Sequence, residues 1–276
     1  MATSSSLPQA LVQPAVPDML QRVAPRRVLC GFANLLQNEH RAWWGTRKWL
    51  VHLVIWAVII NGFAGMIGWA EGRDGKTAAD VYGTAIQVFF ILGGMAAALG
   101  VVSTTQGAIV SEKQLGTAAW IMSKPATRSA FLLAKLVAHA GAFLVLAVAI
   151  PTVVFYVQSL LAGRGMPPLL PFAGGLALMM LHLMFYLALT LMLGTLFSVR
   201  GPIAGIGIGF LFAGQLAPNL LPQLGTIFPW QLPQVASGLV LEQPLPAQAF
   251  VAMGATAMWI VLFITVALWR FGREEF

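Results

Sequence analysis

Long stretches without a charged residue constrain this chain more than any other feature. The run from Leu169 to Val199 contains no Asp, Glu, Lys or Arg, and several other windows are almost as poor in charge. A helix needs about 20 apolar residues to cross the hydrocarbon core of a bilayer. Charged residues make up 9% of the sequence, against roughly 25% in ordinary soluble domains. The sequence therefore predicts a polytopic membrane protein.

Six windows are long and apolar enough to span a bilayer. Backbone groups in lipid must bond internally, and the alternating pattern of barrel strands is absent, so each window should be a helix. The predicted fold is an all-α polytopic membrane protein with six transmembrane helices. Their approximate bounds are Trp49 to Trp69, Val81 to Val110, Phe131 to Leu161, Leu169 to Val199, Pro202 to Leu221 and Ala247 to Trp269.

The basic residues predict an orientation. With the amino terminus inside, all but three of the 16 Lys and Arg residues fall on the cytoplasmic side, the exceptions being Arg73, Lys76 and Arg164. The positive-inside rule then predicts a multi-pass protein of the inner (plasma) membrane with both termini in the cytoplasm. Topology and contact with membrane lipid account for the net charge of +7, so no nucleic-acid partner is predicted.

Three regions follow along the chain. Residues 1–27 are rich in Ser, Pro and Gln and are predicted to be a mobile cytoplasmic tail. Residues 28–47 carry an apolar stripe at helical spacing, formed by Leu29, Phe32, Leu36 and Trp43, and are predicted to form an amphipathic interface helix. Residues 48–276 form the six-span domain, in which the proline-rich segment at about 218–246 is predicted to be re-entrant or interfacial on the outer side.

A polar elbow, SEKQLGTAAWIMSKPATR, separates the second and third spans. Glu112 to Ser123 is predicted to form a short, half-apolar helix, giving a cytoplasmic element at about 111–125. Pro125 ends it, and Thr127 or Ser129 can cap the helix that follows. Gly116 permits close backbone approach. Such an element is suited to docking a partner outside the membrane.

The elbow resembles the signature of type-2 ATP-binding-cassette exporter permeases. The similarity lies in Glu112, the pair Gly116-Thr117, Pro125, Thr127-Arg128 and Lys135. One departure is Ala134, which stands where the family has glycine. The segment LLQNEHRAWWGTRKWL also resembles the interface helix of that family, with Glu39 in the usual acidic position.

This resemblance implies the membrane subunit of an ATP-driven exporter. Two such chains, identical or different, would form a dimer, and a cytoplasmic ATPase subunit in two copies would bind ATP and magnesium. The chain itself would bind no cofactor and would not be an enzyme. The implied coupling residues are Glu112, Gly116, Thr117, Pro125 and Arg128, and those of the interface helix are Glu39, Arg41 and Arg47.

Several intramembrane features leave alternatives open. The amides of Asn61, Gln87 and Gln215 suit either helix-to-helix hydrogen bonds or contact with a substrate. The glycines at 201, 205 and 209 suit either a dimer ridge or packing inside one chain. The four-residue spacing is that of Gly201, Gly205 and Gly209.

The sequence also contains a partial phosphate-binding motif and three histidines within the predicted spans. The tripeptide Gly75-Lys76-Thr77 matches only the tail of a phosphate-binding loop, because Ala70 occupies the position of the required glycine. His52, His139 and His182 suit either satisfied core positions or ligands of an intramembrane haem or redox subunit, although no two are obviously level along their spans. No metal site and no catalytic constellation is predicted, and a non-transporting membrane scaffold is the remaining alternative.

Overall fold

A computed structural model describes residues 29–163 and 166–274. Every regular element within these ranges is helical, which confirms the predicted all-α class. The proposed tail at 1–27 and the basic residue Arg164 lie outside the described residues.

The helices are numbered from the amino end of the described chain. A 3-10 turn at Pro229–Gln231 precedes α9. The helices are α1 (Phe32–Trp44), α2 (Trp49–Arg73), α3 (Ala78–Gln114), α4 (Thr117–Met122), α5 (Arg128–Leu161), α6 (Leu169–Leu196), α7 (Arg200–Leu220), α8 (Pro222–Ile227), α9 (Leu232–Val240) and α10 (Ala247–Gly272).

Five helices are long and apolar enough to cross a membrane, namely α2, α3, α5, α6 and α10. The chain is therefore a multi-pass membrane protein. The window predicted as a further span, Pro202 to Leu221, is also helical, because α7 covers most of it in 21 residues. Its crossing of the bilayer stays a prediction. Helix α3 has 37 residues, or about 55 Å, so it extends well beyond a hydrocarbon core of about 30 Å.

Helix α6 lies at the centre of the bundle. Its most apolar window is 67% buried, against 17% for that of α10. It packs on α10, α9 and α3, which surround it. Near its start, Phe172 joins Phe89, Phe90 and Phe155 in an aromatic cluster with ring centroids 4.7 to 6.0 Å apart. Aromatic packing of this kind holds α3, α5 and α6 together at one end.

The other end of the bundle, here called the elbow end, gathers several helix termini. The end of α3 lies beside the end of α6 and the start of α7, and the start of α5 lies beside the end of α10. Side-chain hydrogen bonds join these termini: Lys113 Nζ to Thr195 O (3.2 Å), Gln114 Nε2 to Ser198 O (2.8 Å), Arg200 Nη2 to Ser111 Oγ (2.8 Å) and Arg128 Nη1 to Gly272 O (2.6 Å).

The segment from 221 to 231 re-enters the bundle from the opposite end. Its backbone carbonyls meet side-chain groups from the middle of two spans: His182 Nδ1 lies 3.0 Å from Pro229 O, and Trp259 Nε1 donates to Ile227 O at 2.9 Å. Trp230 Nε1 in turn donates to Phe210 O in α7 at 3.1 Å. Irregular backbone is tolerated at membrane depth when protein groups bond it. The contacts place this segment against the middle of the bundle, and its re-entrant or interfacial position in a membrane stays a prediction.

Two predicted boundaries are wrong. The interface helix begins at Phe32 and ends at Trp44, so it is shorter than 28–47. The elbow is not one helix over Glu112 to Ser123, because Gly116 has a φ of 71° and interrupts it. A left-handed residue ends a right-handed helix. The first part of the elbow therefore continues α3, and α4 alone forms the separate short helix.

Thr127 caps α5, as predicted. Its Oγ1 accepts a hydrogen bond from Ala130 N at 3.2 Å. We expect Thr127→Ala to lower the free energy of unfolding by about 1 kcal/mol, because a backbone donor in the first turn loses its partner. Thermal unfolding of the purified protein in detergent measures this. Thr265→Ala is the control, since Thr265 bonds only Val261 O within α10; an equal loss in both variants would contradict the capping role.

Candidate functional site

The candidate site is built around Lys135, in the second turn of α5. Its Nζ lies 2.6 Å from Glu39 Oε1 of α1 and 2.6 Å from Glu112 Oε1 at the end of α3. The side chains are 4%, 14% and 24% exposed respectively. One ammonium shared by two carboxylates leaves a partly buried group of net charge −1. The interface helix, the elbow and α5 are therefore held by a single cation, here called the Lys135 cluster.

The Lys135 cluster is extended by hydrogen bonds. Thr117 Oγ1 donates to Glu112 Oε2 at 3.0 Å, so the carboxylate bonds both Lys135 and the first residue of α4. Lys135 O lies 2.8 Å from His139 Nδ1. Because a carbonyl oxygen only accepts, His139 Nδ1 carries the proton. The bond from Thr117 orients the Glu112 carboxylate, and the bond to Lys135 O orients the His139 ring.

The Lys135 cluster also reaches the last helix. Lys135 Nζ lies 4.9 Å from the ring centroid of Phe131, which stacks on Phe271 at a centroid distance of 5.3 Å and an interplanar angle of 7°. At the first residue of α5, Arg128 Nη1 donates to Gly272 O. Arg128, predicted as a coupling residue, thus binds the carboxyl end of α10. The elbow region is therefore in direct contact with α5 and α10.

A second contact joins the start of the interface helix to the elbow. Thr127 N donates to Cys30 O at 3.1 Å, and Cys30 Sγ donates to Pro125 O at 3.1 Å. Gly31 has a φ of 83°, and a Cβ built on it would lie 3.0 Å from Ala126 Cβ. Glycine is required here by both the backbone and the space. The elbow and the start of α1 are therefore closely packed and joined by two hydrogen bonds.

The exposed surface of the elbow consists of Leu115, Gly116 and Trp120, here called the docking face. Leu115 is 77% exposed and Trp120 is 63% exposed. Lys124 Nζ lies 3.5 Å from the Trp120 ring centroid, which steadies the indole. No heavy atom lies within 4 Å of a Cβ built on Gly116. The docking face lies outside the apolar spans and has room for another protein.

The remaining predicted residues of this region lie on its surface. Arg41 and Arg47 are exposed, and Pro125 is exposed with its carbonyl oxygen bonded to Cys30. On α1, Phe32 and Leu36 are half-buried and Trp43 is buried, whereas Leu29 is exposed. The predicted stripe is therefore confirmed except at its first residue, and it packs against α5.

The predicted intramembrane amides do not come together. Asn61 is buried at the end of a π-helical turn of α2, and its amide atoms have no hydrogen-bond partner among the described residues. Gln87 lines an open cavity of about 600 Å³ with Lys76 and Asp80. Gln215 Nε2 lies 3.7 Å from Met95 Sδ, a weak contact between α7 and α3.

The three glycines of α7 that were predicted as a dimer ridge face outward. Gly201, Gly205 and Gly209 are exposed, and no heavy atom lies within 4 Å of a Cβ built on any of them. Gly207 behaves differently, because its Cβ would lie 2.8 Å from Val102 Cγ1 of α3. Packing inside one chain therefore explains Gly207, whereas the surfaces at Gly201, Gly205 and Gly209 are open to contact with another chain.

Two of the three histidines contact the same tryptophan. The ring centroid of Trp43 lies 5.4 Å from that of His52 and 5.5 Å from that of His139, so α1 places an indole against both α2 and α5. Across residues 29–163 and 166–274, no group of three or more His, Cys, Asp or Glu side chains is arranged to hold a metal ion.

The glycine-lysine-threonine tripeptide forms a turn and a helix cap. Lys76 Nζ donates to Glu71 Oε1 at 2.6 Å, and this bond raises the pKa of Lys76. Thr77 Oγ1 accepts from Asp80 N at the start of α3. Lys76 and Thr77 therefore bond residues that are close to them in the chain, as residues of a turn and a helix cap do.

Two residues that join the elements of this region were not among the predicted coupling or interface-helix residues. Lys135 entered only as part of the family resemblance, and Cys30 was not predicted as a site residue. The acidic residue in each of two polar segments was the available signal for Lys135, since a buried lysine requires a counter-charge. No sequence pattern indicated the pairing of Cys30 with Pro125.

Comparison with known proteins agrees with this architecture. Residues 49–276 match the protein family described as Protein of unknown function (DUF2705). The chain belongs to this family. It is also similar to the uncharacterized transmembrane protein YxlG of Bacillus subtilis (strain 168), with 25% identity over 176 residues, which is 63% of this chain and 67% of that protein. A transmembrane relative accords with the five apolar helices of the family region.

Proposed function

We propose that the chain is the permease subunit of an ATP-driven exporter of the type-2 ATP-binding-cassette class. The observation that carries the proposal is the Lys135 cluster, which ties the exposed docking face to α1, α5 and α10. A separate ATPase subunit, in two copies with bound ATP and magnesium, docks on this face. The residues of the cluster are among those that carry the sequence resemblance.

The same proposal includes six spans, with α7 as the fifth, and both termini in the cytoplasm of a plasma membrane. Charge supports this orientation, because the elbow end carries Lys113, Lys124, Arg128 and Arg200, whereas Arg73 and Lys76 lie at the opposite end. The docking face then lies in the cytoplasm, where an ATPase can reach it.

Co-expression with the ATP-binding-cassette ATPase encoded nearest to this chain tests the proposal. We expect the two proteins to purify together and the rate of ATP hydrolysis in nanodiscs to depend on the permease. A chain that purifies alone, or an ATPase whose rate is the same with and without it, would show the proposal to be wrong. A scaffold would bind the ATPase without altering its rate.

A dimer through α7 is expected to give specific crosslinks. In a Cys30→Ser background, Gly205→Cys and Gly209→Cys should form disulfide-linked dimers in native membranes, because the ridge is open and small residues allow close helix approach. Gly254→Cys on α10 is the matched control, since that glycine is also exposed with no atom within 4 Å of its Cβ. Monomers only, or equal yields at Gly254, would contradict a dimer at this ridge.

A further inference from the structure

A small cavity lies in the middle of the bundle, beside His182 of α6. Its volume is about 20 Å³, and Gln215 of α7 and Trp230 of the re-entrant segment also line it. His182 is 2% exposed. A cavity needs about 10–15 Å³ to hold one water-sized group. This cavity therefore accepts one hydroxyl-sized group.

His182 brings an unused hydrogen-bond acceptor to the cavity. Its Nδ1 lies 3.0 Å from Pro229 O, and because the carbonyl oxygen only accepts, Nδ1 carries the proton. In the neutral imidazole Nε2 is then an acceptor. Nε2 is buried and has no hydrogen-bond partner among residues 29–163 and 166–274. Buried polar atoms are rarely left unpaired in native proteins, so a missing donor is expected.

A larger cavity of about 480 Å³ adjoins the small one and shares Gln215, Trp230 and Gln234 with it. Gln231 and Gln243 add two more amides to its lining. No charged side chain of the described residues lines either cavity. Small-molecule sites commonly measure about 300–1,000 Å³ and combine an aromatic surface with a few polar groups. An indole and several amides suit an uncharged molecule with several hydroxyl groups.

We propose that the two cavities form one binding site for a neutral, polyhydroxylated molecule. One hydroxyl group of the ligand enters the small cavity and donates a hydrogen bond to His182 Nε2. The rest of the ligand lies against Trp230 and the glutamine amides. This site is at the opposite end of α7 from the docking face, and its occupation does not depend on an ATPase.

Binding is tested on the whole chain in phosphatidylcholine nanodiscs with ¹⁵N-labelled histidine. The probes are monooleoylglycerol, as a neutral lipid head group, and glucose, as a free polyol. We expect one of them to shift the Nε2 resonance of His182 in a saturable way, the resonance being identified by its loss in His182→Asn. The charged analogue lysophosphatidic acid should produce no such shift, because no basic residue lines the site.

Matched variants separate the site from general effects on the fold. His182→Asn keeps an amide donor for Pro229 O and loses the Nε2 acceptor, so the Kd should rise about tenfold, the effect of one hydrogen bond. Gln215→Leu should also weaken binding, whereas Gln87→Leu, in the cavity near Lys76, should leave the Kd unchanged.

Any of three results would overturn the site. The Nε2 resonance could stay unmoved at saturating probe, or the Kd values of the wild type and His182→Asn could be equal. Alternatively, Nε2 could accept a hydrogen bond from an ordered water and keep that water when the probe is added. Each of these would leave the exporter proposal untouched, because the measurement contains no ATPase. Conversely, a chain that binds the probe and ignores every ATPase would retain the site and lose the exporter role.

Discussion

Replacing Lys135 with methionine is expected to reduce ATPase coupling at least tenfold and to destabilise the elbow. The substitution leaves the carboxylates of Glu39 and Glu112 close together without their shared cation. Breaking a buried ion pair by removing one partner costs about 3–5 kcal/mol. The lower end of that range applies here, because the Glu112 side chain is 24% exposed and water can partly solvate its charge. Thermal unfolding and ATP hydrolysis with the partner measure the two effects separately.

A neutral version of the Lys135 cluster separates stability from coupling. In the triple variant Glu39→Gln, Glu112→Gln, Lys135→Met no buried charge is left unpaired, so we expect most of the stability to return. Coupling should stay low, because α1, the elbow and α5 are no longer held by one cation. Lys76→Met is the control, since the Lys76 side chain is 48% exposed at the opposite end of the bundle, where solvent screens its ion pair with Glu71. Full coupling in the triple variant would show that the cluster only stabilises the fold.

The spans were predictable because the bilayer imposes a length and a composition that the sequence must meet. Charge-poor windows located α2, α3, α5, α6 and α10 within a few residues. The same reasoning could not find the Lys135 cluster. Lys135 is 96 residues from Glu39 and 23 from Glu112 along the chain, and only the packing of α1 on α5 brings the first pair together.

Contacts between distant helices were equally beyond local patterns. His52 and His139 both contact Trp43, a consequence of how α1 packs on the bundle. Two arrangements were predicted for the proline-rich segment. Local sequence could not decide between them, because the position of the segment depends on hydrogen-bond donors supplied by His182 and Trp259 from distant spans. In the elbow, by contrast, Gly116 was a readable signal: a glycine inside a short polar helix often marks a left-handed residue.

Gly116 offers the sharpest test of the docking face. Its φ of 71° means that any other residue strains the backbone, by about 1 kcal/mol or more. The space around it is empty. Gly116→Ala and Gly116→Trp therefore carry a similar backbone strain, but only the tryptophan covers the surface between Leu115 and Trp120. The difference between the two variants reports occlusion of the face alone.

We expect Gly116→Trp to abolish co-purification with the ATPase and the permease-dependent part of ATP hydrolysis, while Gly116→Ala retains at least half of both. Gly116→Asn should resemble the wild type most closely, because asparagine tolerates the left-handed conformation. Thermal unfolding in detergent should be similar for the alanine and tryptophan variants, since neither side chain meets a neighbour. If the tryptophan variant still binds the ATPase with wild-type affinity, the partner docks elsewhere, and the exposure of Leu115 and Trp120 has another cause.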